Sequence, residues 1–308
     1  ILMDDNVAAI TQIGLDILRL KLRFRVLTPV SLPQAPGAMW RNVLGPALKR
    51  IGADDVFHIL FQPKPTAALG DAQKRFGTPP PIFARAATAP TLALPDDTLE
   101  LQVSLFGQAG SAMASAIVAA FENAAAVGLG KSRGTAALDW VSGSWRPDQD
   151  NDQPFVVWRD APIPIDHAPA PGLAPFAARI GLASPLRLQK DGKLQANDRF
   201  DPTKLLHAAY LRLRILRALY GDGAPLGSMP KIDFGTITPG EADIWLQPLS
   251  SWSSSRGRRH DLTGQMGSFI LPMAENQEVW PLVATLPWMQ VGHDVTYGLG
   301  VIRVSPIY

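Results

Sequence analysis

Residues 18–26, Leu-Arg-Leu-Lys-Leu-Arg-Phe-Arg-Val, alternate apolar and basic side chains without a break. A period of two is typical of a β-strand with one buried and one solvated face. A turn with proline and serine follows, and residues 37–51 then place apolar side chains at helical spacing. This part of the chain is therefore predicted to run strand, turn, helix. The solvated face of the strand carries Arg19, Lys21, Arg23 and Arg25.

The same order of elements occurs in both halves of the chain. In the first half, an irregular insertion with seven prolines (residues 63–95) is followed by a predicted strand from Thr98, a helix from Ser111 to about Val127 and a strand over 135–141. In the second half, the predicted elements are a strand over 176–188, a helix over 202–220, strands over 242–249 and 264–271, a short helix over 275–289 and a strand over 301–304. In each half the last helix leads through a Val-Gly turn into the closing strand.

Strand-helix-strand-strand-helix-strand, present twice, is the split βαβ or ferredoxin-like plan. We therefore predict an α+β protein made of two tandem ferredoxin-like domains with antiparallel sheets. The predicted domains are residues 1–145 and 176–308, joined by a proline-rich linker over residues 146–175.

The composition is that of an ordinary globular protein. The 308 residues are 46% hydrophobic and 18% charged, and 29 basic against 27 acidic side chains give a net charge of +2. This balance excludes a disordered or fibrous chain, and it is silent about a nucleic-acid partner, because phosphates respond to local clusters of cations. The absence of cysteine excludes a disulfide framework and a thiol nucleophile.

We expect a cytoplasmic protein. A chain without cysteine fits a reducing compartment. The most apolar stretch, residues 112–130, is interrupted by Glu122 and Asn123, which is typical of a helix in a water-soluble protein. The residues Ile1-Leu-Met-Asp-Asp also lack the basic start of a signal peptide.

Motifs that suggest cofactors or metals are incomplete. Gly128-Leu-Gly-Lys-Ser resembles a P-loop, but that motif needs a glycine where Ala125 stands and a strand before the loop, where a helix is predicted. Asp148-Gln-Asp-Asn-Asp resembles the start of a calcium loop, but Gln153 and Arg159 occupy the positions that need Gly and Glu. The five histidines lack the spacing of zinc ligands. We therefore predict no metal site and no cofactor.

The densest basic cluster lies in residues 250–261, Ser-Ser-Trp-Ser-Ser-Ser-Arg-Gly-Arg-Arg-His-Asp. Guanidinium groups bind phosphate with two hydrogen bonds, and a neighbouring aromatic ring can stack a base. The pattern favours nucleic-acid binding, and a solvated basic loop is the alternative. A smaller basic pair occupies the first glycine-rich turn. The predicted binding residues of the two clusters are Trp252, Arg256, Arg258, Arg259, Lys131 and Arg133.

Several segments, in order along most of the chain, resemble the RAMP superfamily of CRISPR-associated proteins, and within it the endoribonuclease that processes precursor CRISPR RNA. Leu262-Thr-Gly-Gln-Met-Gly-Ser-Phe-Ile, a helix, and then Val291-Gly-His-Asp-Val-Thr-Tyr-Gly-Leu-Gly-Val-Ile-Arg-Val carry the resemblance best, because they are similar to the glycine-rich closing signature of that family. The supporting matches are Ala183-Ser-Pro-Leu-Arg-Leu, the loop from Trp252 to Arg259 and the helix from Gly37 to Leu48.

The resemblance implies two ferredoxin-like domains that bind CRISPR repeat RNA and cleave it without a metal ion. In that reaction a 2′-hydroxyl attacks the adjacent phosphate and leaves a 2′,3′-cyclic phosphate and a 5′-hydroxyl. The reaction needs a base for the 2′-hydroxyl, an acid for the leaving oxygen and cations for the charge that develops on phosphorus.

The resemblance also indicates where catalytic residues are expected. Many relatives have a histidine in or just after the first helix, but this chain has none between Gly37 and Gly52, where Trp40-Arg41 stands. His58 is the nearest candidate for the acid or base, with a hydrogen-bonded, half-buried side chain as the alternative. His260 is the second candidate, and Arg41 is expected to stabilise the phosphorane. Lys49 and His293 complete the predicted RNA-binding residues.

The expected partners are CRISPR repeat RNA or crRNA, with other subunits of a CRISPR effector complex as further partners, and no membrane. The alternative function is a non-catalytic RAMP subunit that only holds guide RNA. The missing helix histidine favours that alternative, whereas the complete two-domain layout favours the enzyme.

Overall fold

The structure is a computed structural model that describes residues 14–70, 78–86, 91–147, 153–168, 172–190, 193–194, 200–224, 226, 234–235, 237–253 and 258–308. The chain divides into two compact units. The N-terminal unit comprises Leu15–Ala168 and Thr296–Gly298, and the C-terminal unit comprises residues 1–14, Pro169–Val295 and Leu299–Tyr308. The domain boundaries predicted from the sequence stay predictions.

The N-terminal unit contains a five-stranded sheet and four α-helices among its described residues. Its elements are β1 (Ile17–Val26), β2 (Val30–Ser31), α1 (Pro36–Arg50), α2 (Asp54–Phe61), β3 (Ile82–Ala86), β4 (Leu92–Ala93), β5 (Thr98–Phe106), α3 (Gly107–Ala112), α4 (Ala114–Val127), β6 (Ala136–Arg146), β7 (Val157–Trp158), β8 (Ala161–Pro162) and β9 (Ile165–His167).

The strand order of this sheet is β3-β5-β1-β6-β9, with β1 in the centre. Strand β1 pairs antiparallel with both β5 and β6, and only the short β9 is parallel to its neighbour β6. The order β1, α1, β3, β5, α4, β6 along the chain is that of the split βαβ plan. The α+β class with antiparallel sheets, predicted from the sequence, is therefore confirmed.

The alternation of β1 sorts its side chains between the two faces of the sheet. Leu18, Leu20, Leu22 and Phe24 are fully buried, and they face helices α1 and α4 in one apolar cluster. Trp40 of α1 lies between two rings of this cluster, with its centroid 4.9 Å from Phe24 and 5.8 Å from Phe121 of α4. Helix α1 is thus fixed on the sheet by its own buried face.

The C-terminal unit repeats the strand order with fewer strands. Its elements are β10 (Ala177–Leu186), β11 (Gln189–Lys190), β12 (Lys193–Leu194), α5 (Pro202–Tyr220), β13 (Ala242–Gln247), β14 (Ser250–Ser253), β15 (Arg258–Asp261), β16 (Gly264–Pro272), α6 (Trp280–Thr285) and β17 (Ile302–Ile307). The sheet has the order β13-β16-β10-β17, and its pairs are all antiparallel.

Three sequence-based expectations about elements were wrong. The insertion over 63–95, expected to be irregular, supplies β3 as an edge strand paired with β5. Ser111 does not cap the following helix, since it lies inside α3 and its hydroxyl donates to the Gly107 and Gln108 carbonyls. The helix expected over 275–289 is broken into α6 and two short 3₁₀ segments, with Pro281 in the first turn of α6. Among the described residues, no helix is long and apolar enough to span a membrane.

Replacing Asp201 with Ala is expected to destabilise the C-terminal unit by about 1 kcal/mol. Asp201 Oδ1 accepts a hydrogen bond of 3.0 Å from the Thr203 backbone N–H at the start of α5, and alanine leaves that donor without its acceptor. Urea denaturation of both proteins measures the loss. The Asp201→Asn variant keeps an acceptor at the cap, so an equal loss in that variant would contradict the capping role.

Candidate nucleic-acid interface

The first turn of α1 packs against a short piece of the closing glycine-rich segment. Thr296–Gly298 belongs to the N-terminal unit. A Cβ at Gly37 would lie 2.6 Å from the Tyr297 carbonyl oxygen and 2.8 Å from Gly298 Cα, closer than Cβ atoms approach other groups. Gly298 itself has a φ of +83°, which glycine adopts without strain. The glycines at 37 and 298 therefore allow two backbone segments to meet where α1 starts.

The two residues that stand in place of the expected helix histidine have different environments. Trp40 is only 1% exposed and belongs to the core, so it cannot meet a substrate. Arg41 is half-buried at the surface, with its guanidinium carbon 5.4 Å from the Phe61 ring centroid and 5.5 Å from that of Tyr297. Cation–π contacts with two rings restrict the guanidinium, whose N–H groups are suited to phosphate.

Aromatic rings and cations continue from Arg41 along α1 and α2. Phe61 stacks on Phe57, with 5.2 Å between the ring centroids, and Lys49 Nζ lies 4.3 Å from the Phe57 centroid. Gly45 of α1 makes room for both rings, since a Cβ there would lie 3.3 Å from each of them. We call Tyr297, Arg41, Phe61, Phe57 and Lys49 the helix-side row.

His58 lies at the edge of the helix-side row. Its ring meets Phe57 edge-on, with 5.7 Å between the centroids, and its side chain is exposed. Nδ1 lies 2.8 Å from Gln62 Oε1. Gln62 therefore engages the Nδ1 side of the ring, and Nε2 lies on the other side of it.

The first glycine-rich turn presents Lys131 and Arg133 to solvent. Gly130 lets the backbone of this turn approach the backbone of β2, because a Cβ at Gly130 would lie 2.1 Å from the Ser31 carbonyl oxygen. The Ser132 hydroxyl accepts from Ser31 N–H (2.8 Å) and donates to the Pro29 carbonyl (3.1 Å), which ties the turn to β2. The turn follows α4 and precedes β6, the reverse of the strand-loop-helix order of a P-loop.

In the C-terminal unit, a buried arginine joins the basic hairpin to the closing loop. Arg187 is 6% exposed and forms ion pairs with two carboxylates. Its Nε lies 3.0 Å from Asp294 Oδ2, although the N–H is not aligned for a hydrogen bond. Its Nη1 lies 3.6 Å from Asp261 Oδ2. Nη1 also donates to the Thr263 carbonyl (2.6 Å), and the Arg187 carbonyl accepts from His293 N–H (2.9 Å). The hydrogen bond from Thr263, together with the charge of Arg187, holds the pKa of Asp261 below its ordinary value despite some desolvation.

His260 shares the Asp294 carboxylate with Arg187. Its Nε2 lies 3.0 Å from Asp294 Oδ1, and its side chain is 30% exposed. His293, next to Asp294, has a pKa below the ordinary histidine value because of desolvation and the charge of Arg187, which outweigh the opposing charge of Asp294. At neutral pH the His293 ring is therefore mainly uncharged, and it offers hydrogen bonds rather than a cation to phosphate.

Apart from Arg256, the remaining predicted residues of the basic cluster lie on a hairpin. Strands β14 and β15 pair Ser251 with His260 and Trp252 with Arg259, so the loop predicted from sequence has strands at its base. Arg259 is exposed, Trp252 and Arg258 are placed by their backbone, and Arg256 lies outside the described residues.

The structure brings Arg41, Lys49 and His58 onto one pair of helices, and it places Lys131 and Arg133 on a turn of the same unit. Sequence reasoning placed Tyr297 only in the closing glycine-rich loop, and it gave no role to Arg187. Tyr297 contacts Arg41 from 256 positions away in the chain, and only the glycines around it signalled a close approach. Arg187 was visible only as part of Ala183-Ser-Pro-Leu-Arg-Leu. In the part of the chain that the structure describes, no group of three His, Asp or Glu side chains could hold a metal ion.

Comparisons with known proteins concern the fold. A family model described as AF_1859_N, N-terminal domain, matches residues 15–166, just under half of the chain. No curated protein matches the sequence. A Cas6 product complex superposes with a TM-score of 0.56 at 12% identity, covering 94% of this chain and 99% of that chain. Cas6 from Thermus thermophilus superposes with a TM-score of 0.52 at 13% identity, and the match again covers 94% of this chain and 99% of that chain.

This chain has the Cas6 fold. A second Cas6 product complex superposes with a TM-score of 0.51 at 13% identity, covering 94% of this chain and 99% of that one. A partial Cas6-RT-Cas1–Cas2 complex, also at 0.51 and with 14% identity, covers 95% of this chain and 46% of the longer one. At identities of 12–14% the similarity to Cas6 concerns the fold alone. The catalytic and binding residues of this chain therefore follow from its own contacts.

Replacing Arg187 with Met is expected to lower the free energy of unfolding by about 1.5–3 kcal/mol, because it removes the buried guanidinium that donates to the Thr263 carbonyl and faces the partly buried Asp294 carboxylate. The matched control is Arg179→Met on the same strand, β10, whose exposed ion pair with Glu241 spans 4.0 Å and is worth at most about 1 kcal/mol. Chemical denaturation compares the two. Equal losses would show that Arg187 does not hold the hairpin and the closing loop together.

Proposed function

We propose that this chain is a metal-independent endoribonuclease that binds CRISPR repeat RNA and cleaves precursor crRNA. The proposal is supported by the Cas6 fold, since the similar solved structures include Cas6 product complexes. It is also supported by the strand order, which is that of the split βαβ plan in each unit. Two tandem ferredoxin-like domains with the predicted boundaries are part of the same proposal.

The observation that carries the proposal is the position of Arg41. Arg41 is the first cation of α1, a helix without histidine, and the rings of Phe61 and Tyr297 restrict its guanidinium. Tyr297 precedes Gly298, which meets Gly37 at the start of the helix. A glycine-rich backbone leaves room for a sugar-phosphate chain to approach, and a restricted guanidinium can then meet the phosphate with two hydrogen bonds. A fixed cation of this kind stabilises charge that appears only in the transition state.

In the proposed reaction, the 2′-oxygen forms a bond to phosphorus while the bond from phosphorus to the 5′-oxygen breaks. A base removes the proton of the 2′-hydroxyl, and an acid gives a proton to the leaving 5′-oxygen, so the products are a 2′,3′-cyclic phosphate and a 5′-hydroxyl. Arg41 faces the negative charge that builds up on the non-bridging oxygens. His58 supplies one of the proton transfers through Nε2, because Gln62 engages Nδ1.

Other cations are proposed to bind the RNA rather than to act on the cut bond. Lys49 extends the helix-side row, and Lys131 and Arg133 are exposed on the glycine-rich turn. Trp252, Arg258 and Arg259 of the hairpin are proposed to bind RNA, and Arg256 is proposed as a binding residue from the sequence alone. His260, held by Asp294, and the mainly neutral His293 are proposed as binding residues, with catalysis by His260 as the second choice.

A non-catalytic RAMP subunit that only holds guide RNA is the second candidate. Two observations favour it: α1 contains no histidine, and the exposed ring of His58 is bound to Gln62 rather than to a residue of the closing loop. Both candidates imply RNA partners, other CRISPR effector subunits as further partners and a cytoplasmic location.

The deciding experiment incubates the purified protein with repeat RNA in excess EDTA, and in parallel with the same RNA carrying a 2′-deoxyribose at the cut position. We expect cleavage that survives EDTA and is abolished by the deoxy substitution, with a cyclic phosphate at the new 3′ end. Tight binding without cleavage would favour the non-catalytic subunit.

The Arg41→Ala variant is expected to lower the single-turnover cleavage rate by about 10²-fold or more, because it removes a cation from the transition state. Arg50→Ala is the matched control, since Arg50 lies at the end of the same helix and donates to Asn123 Oδ1 (2.9 Å). Its cleavage rate should stay close to that of the unaltered protein. Similar rates for the two variants would remove Arg41 from the mechanism.

The same assay tests His58. His58→Ala is expected to slow cleavage by about 10²-fold or more, as for the loss of a general acid or base, whereas Gln62→Ala frees Nδ1 and should cost less. If His58→Ala cleaves at the parental rate, another group transfers the proton.

A further inference from the structure

Arg41 is held by aromatic rings in a way that leaves its N–H groups for a ligand. Its guanidinium carbon lies over the Phe61 ring at 5.4 Å and over the Tyr297 ring at 5.5 Å. A ring attracts the charge of a guanidinium without the lone pairs that a carboxylate or a carbonyl offers to its donors. Within the part of the chain that the structure describes, Arg41 takes part in no hydrogen bond and no ion pair.

The other arginines that the structure places over rings are arranged differently. All of them donate hydrogen bonds within the protein: Arg23 to Glu100, Arg159 to Glu122 and Arg214 to the Leu226 carbonyl. Arg41 has two rings instead, and no acceptor among the described residues. Such an arginine is fixed in position and can still give two hydrogen bonds to a phosphate.

The backbone of the closing glycine-rich segment fixes Tyr297 at the start of α1. A Cβ at Gly37 would lie 2.6 Å from the Tyr297 carbonyl oxygen. A Cβ at Gly298 would lie 3.4 Å from the Ala84 carbonyl oxygen of β3. These close approaches leave the segment little room to slide, so the Tyr297 ring keeps its place over Arg41.

We infer that Tyr297 is a positioning residue, whose ring holds Arg41 where its free N–H groups meet the cut phosphate in the transition state. The inference rests on the proposed function, and it adds how the closing glycine-rich segment takes part in cleavage. The contribution comes from the face of the ring, so the Tyr297 hydroxyl is not required for it.

The effect of Tyr297 is expected in the rate of the chemical step rather than in the affinity for RNA. The negative charge that faces Arg41 grows only as the 2′-oxygen attacks phosphorus, so the ground state gains little from an exact position of the guanidinium. In the transition state a small misplacement of a stabilising group is costly. A leucine at position 297 keeps an apolar side chain beside α1 but does not attract the cation.

The test measures single-turnover cleavage of repeat RNA over a range of protein concentrations. Tyr297→Leu is expected to lower the maximal rate by about tenfold, which corresponds to about 1.4 kcal/mol and to a partly desolvated cation–π contact. The protein concentration at half-maximal rate should change by less than about twofold, as for an interaction made only in the transition state. Tyr297→Phe should cleave at close to the parental rate. The matched control is Thr296→Ala, which alters the neighbouring residue of the same segment and should also cleave at close to that rate.

Two further measurements separate positioning from a structural role. Sulfur in place of a non-bridging oxygen weakens a hydrogen bond from Arg41, so the unaltered chain should cleave at least one of the two phosphorothioate diastereomers about tenfold more slowly than the oxygen substrate. In Tyr297→Leu, as in Arg41→Ala, this ratio should decrease to about twofold or less, because the bond is already weakened or lost. Adding Tyr297→Leu to Arg41→Ala should slow cleavage by less than about twofold more, since the ring acts only through the guanidinium.

A spectroscopic measurement tests the contact without cleavage. In protein whose arginines carry an NMR-active nitrogen isotope, the Nε–H signal of Arg41 is the one that Arg41→Ala removes. The rings shift this signal from the position of a solvated arginine. Tyr297→Leu should move it toward that position, and Tyr297→Phe should not.

A Tyr297→Leu rate equal to that of Thr296→Ala would overturn the inference, as would a Tyr297→Phe variant as slow as Tyr297→Leu or an Arg41 signal that Tyr297→Leu leaves in place. Unfolding midpoints of each variant separate a loss of rate from a loss of fold. Failure of the proposed function shows differently: the unaltered chain then cleaves no repeat RNA, and the role of Tyr297 in cleavage falls with it, while the Arg41 signal still reports the contact.

Discussion

The alternation of apolar and basic residues in β1 is the constraint on which the N-terminal unit depends. Because successive side chains of a strand point to opposite faces, the apolar set is buried under α1 and α4, and the basic set must lie on the other side of the sheet. Burial of Leu18, Leu20, Leu22 and Phe24 therefore orients α1 through Trp40. With Trp40 in the core, its neighbour Arg41 reaches the surface, where Phe61 and Tyr297 restrict it.

Charge in this protein is arranged locally, so the net charge of +2 does not describe the individual surfaces. On the helix side, rings hold the cations Arg41 and Lys49, and the contacts described for them include no carboxylate. On the sheet side, Glu100 and other carboxylates moderate the cations of β1. In the C-terminal unit, the buried Arg187 is a cation that organises the chain rather than one that meets solvent. The position of each cation, more than the total, decides what it can bind.

Much of the fold could be read from the sequence because the relevant signals are local. The period of β1, the cap Asp201 before Pro202 and the helix over 202–220 depend on neighbouring residues, and the structure has each of them as predicted. The elements that were missed lack local signals. Strand β3 follows a proline-rich stretch and is held by its pairing with β5. The segment over 275–289 has helical composition, but the prolines at 281 and 287 start new segments instead of extending one helix.

The sequence by itself determined the α+β class, the burial pattern of β1 and the glycine positions where backbones approach closely, because periodicity and the freedom of glycine at positive φ are written in the residues themselves. Only the tertiary structure decided which of these features meet. It brought Tyr297 to Arg41, bound Asp294 to Arg187 and His260, and set Trp140 beside Arg23. These contacts join residues far apart in the chain, and their geometry depends on strand register and on the packing of helices against the sheet, which no local pattern specifies.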